Sequence, residues 1–272
     1  MIFRKKYIQF FCSIVLLAAC AADKNAPINI KGYDYAQMKQ VELEHPLKEI
    51  SGIAYWADSN SFVAVNDEKG IMYLLDPQNF RITNKFDFED AGDYEEIQVY
   101  EKTIYILRSD GKIYKLNFDG TLEILSYTGP KAEYESFYVD VVSNTVVLIP
   151  KHSKTGAKEK QTVTYTINAS DGTYANKKEH VLSWSDLKST ALLHPSAVAI
   201  HPVSKDIYLL ASIEKRLIVL NSDWKLLAEY ELDRTYFLQP EGITFDPTGN
   251  LYITNEGGGG SPTLIQIPIL SN

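Results

Sequence analysis

The sequence predicts an all-β fold: a five-bladed β-propeller of four-stranded antiparallel blades, its ring closed by an N-terminal strand. Three observations carry that reading. A hairpin is written out in Gln239 to Asn255, where Ile243 and Phe245 alternate with smaller or polar neighbours, Asp246-Pro-Thr-Gly-Asn250 supplies turn residues, and Leu251 to Ile253 begin a second strand. Weaker copies recur upstream, and the first residues of the five, Ser51, Glu95, Glu135, Ser196 and Glu241, stand 44, 40, 61 and 45 residues apart. A period of about 40–50 residues with several short strands belongs to a radial array, because one such sheet cannot bury both of its faces alone. Finally, Met38 to Glu44 has strand character without a hairpin partner, while the last copy ends at Thr263 to Leu270 one strand short. The two deficits match, and an N-terminal strand completing the last blade protects the closing edge.

The elements follow in order. Arg4-Lys5-Lys6 and the apolar run Ile8 to Leu17 form an export signal over residues 1–19, too short for a membrane span. Leu17-Ala-Ala-Cys20 resembles the bacterial lipobox, in which the cysteine is acylated and becomes the first residue of the mature chain; an ordinary signal peptide with Cys20 incidental is the alternative. Cys12 falls inside the signal and Cys20 is the only other cysteine, so the mature chain has no intramolecular disulfide. The expected product is a monomer anchored through lipid on Cys20 to a membrane of the bacterial cell envelope, either at the outer membrane or facing the periplasm. Residues 20–37 are polar and read as a flexible tether, leaving 38–272 for the propeller.

Blade one is expected to place strands near 51–56, 61–66, 70–75 and 81–88, and blade two to run from Glu95 to about Ser126 with a turn at Ser109-Asp-Gly-Lys112. Blade three is longest. It includes a basic, solvated loop over Lys151 to Lys160, a strand at Thr162 to Ile167, and an irregular stretch from Lys177 to His194 with a short helix near Trp184 to Ser189. Blade four spans Ser196 to about Glu231. Loss of Arg4, Lys5 and Lys6 with the signal takes the formal charge from −8 to −11, and such an acidic surface excludes nucleic acid as a partner.

With these residues in place, Pro240-Glu-Gly-Ile-Thr-Phe-Asp-Pro-Thr-Gly-Asn-Leu-Tyr-Ile-Thr-Asn255 resembles an NHL-type propeller repeat. The ordered set of Ser51-Gly52, Asn66-Asp67, Asp93-Tyr-Glu-Glu96, Glu135 and Pro240-Glu-Gly242 resembles the SdiA-regulated family of bacterial envelope proteins over about residues 40 to 270. That resemblance implies a five-bladed propeller with a bound calcium ion and no established enzymatic activity. Three copies depart from the pattern, with Glu96, Ser136 and Ala197 where glycine is usual.

In a propeller the innermost strand of each blade starts on the face where the next strand ends, so two rings of residues converge at one mouth. The first is Ser51, Glu95, Glu135, Ser196 and Glu241. The second is Asn66-Asp67, Arg108, Lys151-His152, Ser212 and Asn255-Glu256. Carboxylates around a narrow mouth bind a hard cation, pair with Arg108 and Lys151, or raise one another's pKa values. Glu95, Glu135, Glu241, Asp67 and Glu256 are the candidate metal ligands, and oxygen donors without a Cys or His cluster favour calcium over zinc. The same glutamates also suit strand-end caps, and Asp67, Asp93 and Glu96 suit turn or surface acids.

Two function classes remain. One is a non-catalytic, calcium-stabilised binding or scaffold propeller that takes a small ligand or protein at its mouth. The other is a calcium-dependent hydrolase of lactonase or phosphoesterase type, which needs a general base beside the metal; Glu256 and His152 are the candidates.

Overall fold

The structure is a computed structural model that describes residues 30–117, 119–188 and 192–270. The signal over 1–19, Cys20 and residues 20–29 of the tether lie outside the described residues. Among the described residues, strand β1 (Lys39–Glu42) precedes four sequential blades. Blade one is β2 (Ile50–Trp56), β3 (Ser61–Asn66), β4 (Ile71–Leu75) and β5 (Ile82–Asp87); blade two is β6 (Tyr94–Tyr100), β7 (Thr103–Arg108), β8 (Ile113–Asn117) and β9 (Leu122–Leu125). Blade three is β10 (Glu133–Asp140), β11 (Thr145–His152), β12 (Gln161–Asn168) and β13 (Tyr174–Ser183); blade four is β14 (Ala197–Ile200), β15 (Ile207–Ala211), β16 (Arg216–Leu220) and β17 (Leu226–Glu231). Blade five has β18 (Pro240–Phe245), β19 (Leu251–Asn255) and β20 (Thr263–Ile267), and β1 is its fourth strand. All five sheets are antiparallel and four-stranded, as the repeat predicts.

The burial pattern explains why the hydrophobic runs are continuous where a half-buried strand would alternate. Phe62 to Val65, Val146 to Ile149 and Leu217 to Leu220 are buried at every position, because a middle strand has a neighbouring blade against each face. The outer strand β5 has no such cover at its edge, and Asn84 to Asp87 are exposed. The five hydrophobic cores each lie between two blades. At the closing seam Phe62 and Phe80 of blade one pack against Tyr252 of blade five, with ring centroids 4.7 and 6.1 Å from that tyrosine.

Closure runs through β1, which pairs with β20 from Lys39 opposite Gln266 to Glu42 opposite Thr263. The packing starts earlier than the tether boundary at 37. Ile30 and Tyr33 are buried in the core between blades four and five, Tyr33 bridges Ile269, and the Tyr33 hydroxyl donates to the carbonyl of Gly249 at 3.1 Å. An alternating apolar pattern is absent from this stretch because it contributes single anchors rather than a strand.

Blade three departs most from expectation. The basic loop is the end of β11 followed by α1 (Lys154–Glu159), whose N-cap Ser153 accepts from Gly156 N at 2.9 Å. Much of the stretch expected to be irregular belongs to β13, and the expected helix is a 3-10 turn over Trp184–Asp186. Trp184 anchors that turn by donating its Nε1–H to Thr162 Oγ1 at 3.0 Å.

These contacts predict the effect of truncation. A chain starting at Ile30 should melt with the full-length mature domain, whereas one starting at His45 loses Tyr33, Ile30 and the β1–β20 ladder and should melt far lower or fail to fold. Deleting one large buried side chain alone costs about 3–5 kcal/mol. Equal melting temperatures by circular dichroism for the two truncations would contradict the closure described.

Candidate functional site

The inner strands β2, β6, β10, β14 and β18 start on one face around the propeller axis. Four of them carry an extra residue there: the register slips between Ile50 and Gly52, Tyr94 and Glu96, Tyr134 and Ser136, and Pro240 and Gly242. Ser51, Glu95, Glu135 and Glu241 are the bulged residues. A bulge re-aims a side chain out of the pleat, and here it directs each one toward the mouth. The bulge survives in blades two and three without the glycine, so its cause is the repeated strand geometry and not the glycine itself.

The mouth is a cavity of about 280 Å³ lined by Ser51, Asp67, Asp93, Glu95, Glu133, Glu135, Lys151, Ser196, Gln239, Glu241 and Glu256. Seven of these are carboxylates and one is a cation. All five residues of the first ring reach it, together with Asp67, Lys151 and Glu256 of the second. Asn66 and Asn255 are buried beside it and hold backbone, donating to Pro46 O and Tyr236 O at 3.1 Å each. Arg108 lies against Asp110 at 2.6 Å and does not line the cavity. His152 stacks on His194, with ring centroids 6.0 Å apart, on the blade-three side. Ser212 is buried near Glu241 and does not line the cavity.

Around the mouth the acids divide. Glu49, Asp67 and Glu256 each offer a carboxylate oxygen within 4.8 Å of the others. Backbone bonds hold them there: Asp67 N donates to Glu49 O at 3.1 Å, and Gly257 N donates across the seam to Lys48 O at 2.7 Å. Asp67 Oδ1 is buried with no hydrogen-bond partner. Glu95, Glu135 and Glu241 form the other part, where Lys151 is ion-paired with Glu135 and lies 3.8 Å from Glu133. Glu49 was not legible as a ligand from the hairpin copies, which begin two residues later. Counting back two from every copy gives Glu49, Asp93, Glu133, His194 and Gln239, a polar third ring of which three members line the cavity.

Burial and crowding raise the pKa values of five of these carboxyls. Desolvation, with Glu49, Glu68 and Asp93 nearby, pushes Asp67 up to about 6. Desolvation plus the Glu135 and Asp93 charges push Glu95 up to about 9. Glu135 rises to about 8 by desolvation, although Lys151 opposes the shift. Glu256 rises to about 8, again by burial first and then by Glu241 and Asp67. Glu241 is raised by burial against the opposing effects of Ser212, Lys151 and Lys215.

Glu96, expected as a turn or surface acid, is fully buried and seals the channel under the mouth. Its carboxyl accepts from Ile97 N at 3.0 Å and, across the axis, from Val198 N of blade four at 3.3 Å. Gln98 follows the same route, donating to Val198 O at 2.9 Å. Burial raises the Glu96 pKa well above the carboxylate range and favours its uncharged form. The glycine retained in blade one makes this possible, since a Cβ on Gly52 would sit 2.9 Å from Glu96 Oε1 and 2.7 Å from Ile97 N.

Residues 151–258, which carry Lys151, Ser196, Ser212, Glu241 and Glu256, match the model of the SdiA-regulated family, in agreement with the family resemblance of the ordered motifs and with the five blades. No curated protein matches the sequence. Among solved structures, glutaminyl cyclase of Myxococcus xanthus is similar at a TM-score of 0.58 and 10% identity, over 86% of this chain and 96% of that one. A luciferin-regenerating enzyme is similar at 0.53 and 11% identity, over the same 86% and 96%. A protein of unknown function from Bacteroides thetaiotaomicron is similar at 0.53 and 10%, over 85% and 72%. At such identities these likenesses show the propeller fold alone.

The mouth predicts an unusual pH profile. A carboxyl whose pKa is higher folded than unfolded binds its proton more tightly in the native state, so its stabilisation is present at low pH and lost as pH rises through the folded value. Without divalent cations, the melting temperature should therefore fall from about pH 4, where the unfolded carboxyls begin to ionise, up to about pH 9, where Glu95 loses its proton in the folded state; Asp67 contributes only up to about pH 6. Glu95→Gln should flatten the alkaline part of that decline. A melting temperature that stays level or rises across the window in chelator would contradict the assignment.

Proposed function

We propose that this chain is a cell-envelope propeller, tethered by an acylated Cys20, whose mouth binds calcium at the seam between blades five and one and recognises a ligand without transforming it. The observation that carries the reading is the convergence of Glu49, Asp67 and Glu256 around a buried carboxylate oxygen that has no partner. The donor set fits calcium: it is all oxygen and drawn from loops and strand ends, and calcium accepts roughly 6–8 oxygens in flexible geometry. A bound ion would offset the repulsion among these acids and leave positions for oxygen atoms of a ligand. Glu49 and Asp67 belong to blade one and Glu256 to blade five, so the ion would join the two blades that β1 also joins.

The surroundings favour binding over hydrolysis. A general base must be free of its proton at working pH and within reach of the attacked bond. His152 stacks on His194 away from the cavity lining, and Glu256 is a member of the metal cluster that also accepts from Gln239. Glu95, at about 9, keeps its proton near neutrality and offers a donor. Together with the Lys151 ammonium and the Ser51 and Ser196 hydroxyls, it forms a polar basin suited to an oxygen-rich ligand beside the ion.

Calorimetry on the chelator-stripped domain should show saturable calcium binding, tighter at pH 8 than at pH 6 because Asp67 at about 6 and Glu256 at about 8 must lose their protons. Asp67→Asn and Glu256→Gln should each weaken it by on the order of tenfold, a change of about 1.4 kcal/mol. Glu135→Gln, which removes the partner of Lys151, should change it less. No saturable binding, or binding unchanged in the Asp67 and Glu256 variants, would refute the calcium site.

A further inference from the structure

The face opposite the mouth carries a second set of features that the calcium site does not use. The inner strands end there around a bowl of about 310 Å³, and the hairpin turns that ring it display Val142 at 95% exposure, Val203 at 70% and Val141 at 43%. Leu270, half exposed, lies on the same side. Isolated exposed valines need no explanation on a protein surface. Here they share a face with the point where the N-terminal segment enters the fold.

That entry point is fixed by several bonds. Tyr33 reaches the carbonyl of Gly249 in the β18–β19 turn, which belongs to the bowl face. Leu270 N donates to Gly32 O at 2.8 Å. Ile30 is buried directly behind them. Only nine residues, 21–29, separate Cys20 from Ile30, and the ten steps from one to the other span at most about 35 Å fully extended. The inner strand β2 has seven residues, so the distance from bowl face to mouth is about 20 Å along the strand. Apposing the mouth to a bilayer would use most of that reach to run along the blade, whereas apposing the bowl face uses none of it.

We propose that the bowl face is the membrane-docking surface of this propeller, seated on lipid through Val142 and Val203, with the acidic mouth directed away from the bilayer. The inference rests on the acylation of Cys20 in the function proposed above. The exposed lysines and arginine on this face are matched by as many exposed acids, Asp119, Asp171 and Asp223 of the outer turns among them, so the apolar side chains carry the seating and charge does not. Asp140, beside the valines, is occupied by its own turn, accepting from Val142 N at 3.0 Å and Ser143 Oγ at 2.7 Å. The seven carboxylates of the mouth point to the other side. Facing an anionic leaflet, they would be repelled.

The test uses the full acylated chain, extracted from membranes and reconstituted in vesicles of phosphatidylethanolamine and phosphatidylcholine containing doxyl-labelled lipid. With Cys12 removed in the signal and Cys20 acylated, an engineered cysteine is the only free thiol. Val142→Cys and Val203→Cys, each carrying a bimane label, should lose fluorescence to the lipid quencher, while Leu238→Cys at the mouth face should not. Val203→Asp should reduce quenching at position 142 without reducing vesicle flotation. Flotation with equal quenching on both faces, with quenching at Leu238→Cys alone, or with crosslinks between two copies through position 142 in place of quenching would overturn the docking surface and leave the anchor standing. Failure to float, with an unmodified Cys20 by intact mass, would instead remove the anchored reading and this inference with it.

Discussion

The constraint on which the rest of this structure depends is the concentration of carboxylates at one end of a narrow propeller. Bulges at the start of the inner strands turn Glu95, Glu135 and Glu241 inward to the same small volume, and Asp67, Asp93, Glu133 and Glu256 at neighbouring strand ends add four more. Ionising them all together is unfavourable. The fold answers locally, with Lys151 on Glu135 and Gln239 on Glu256, and by burial that raises the Glu95 pKa to about 9. What these devices do not satisfy is the trio at the seam. Asp67 Oδ1 has no partner there, which is why the proposed cation is put beside it.

The position of that trio connects stability to function. A propeller ring is cooperative only if its last blade is secured to its first, and here the ties are few. They comprise the β1–β20 ladder, the aromatic contact of Phe62 and Phe80 with Tyr252 and the bond from Gly257 N to Lys48 O. A cation held by Glu49, Asp67 and Glu256, as proposed, would add a tie at the mouth end of the same seam. Across the axis, Glu96 and Gln98 connect blades two and four and close the channel, so the mouth is a basin with a floor rather than a pore.

The period of the hairpins made the blade number and the closing strand legible, because closed arrays obey an edge constraint that a sequence must record. The first ring was legible for the same reason: each member begins a copy. The trio was only partly legible. Asp67 and Glu256 follow strands and fall in register, whereas Glu49 precedes the first copy and emerges only when the alignment is carried two residues upstream. Glu96 was hidden by chemistry, since a glutamate in a glycine position reads as a surface acid until its partner, Val198 of blade four, is known. Arg108 and His152 keep to the right face of the propeller, but local partners, Asp110 and His194, take them away from the cavity. Side-chain pairing of that kind leaves no periodic trace.

The most direct test of the cation at the seam is anomalous diffraction from crystals of the domain grown in calcium at alkaline pH. The account predicts a single strong peak at about 2.3–2.6 Å from carboxylate oxygens of Glu49, Asp67 and Glu256. A mouth without such a peak, in which Asp67 Oδ1 is satisfied by ordered water or by a backbone donor, would contradict it.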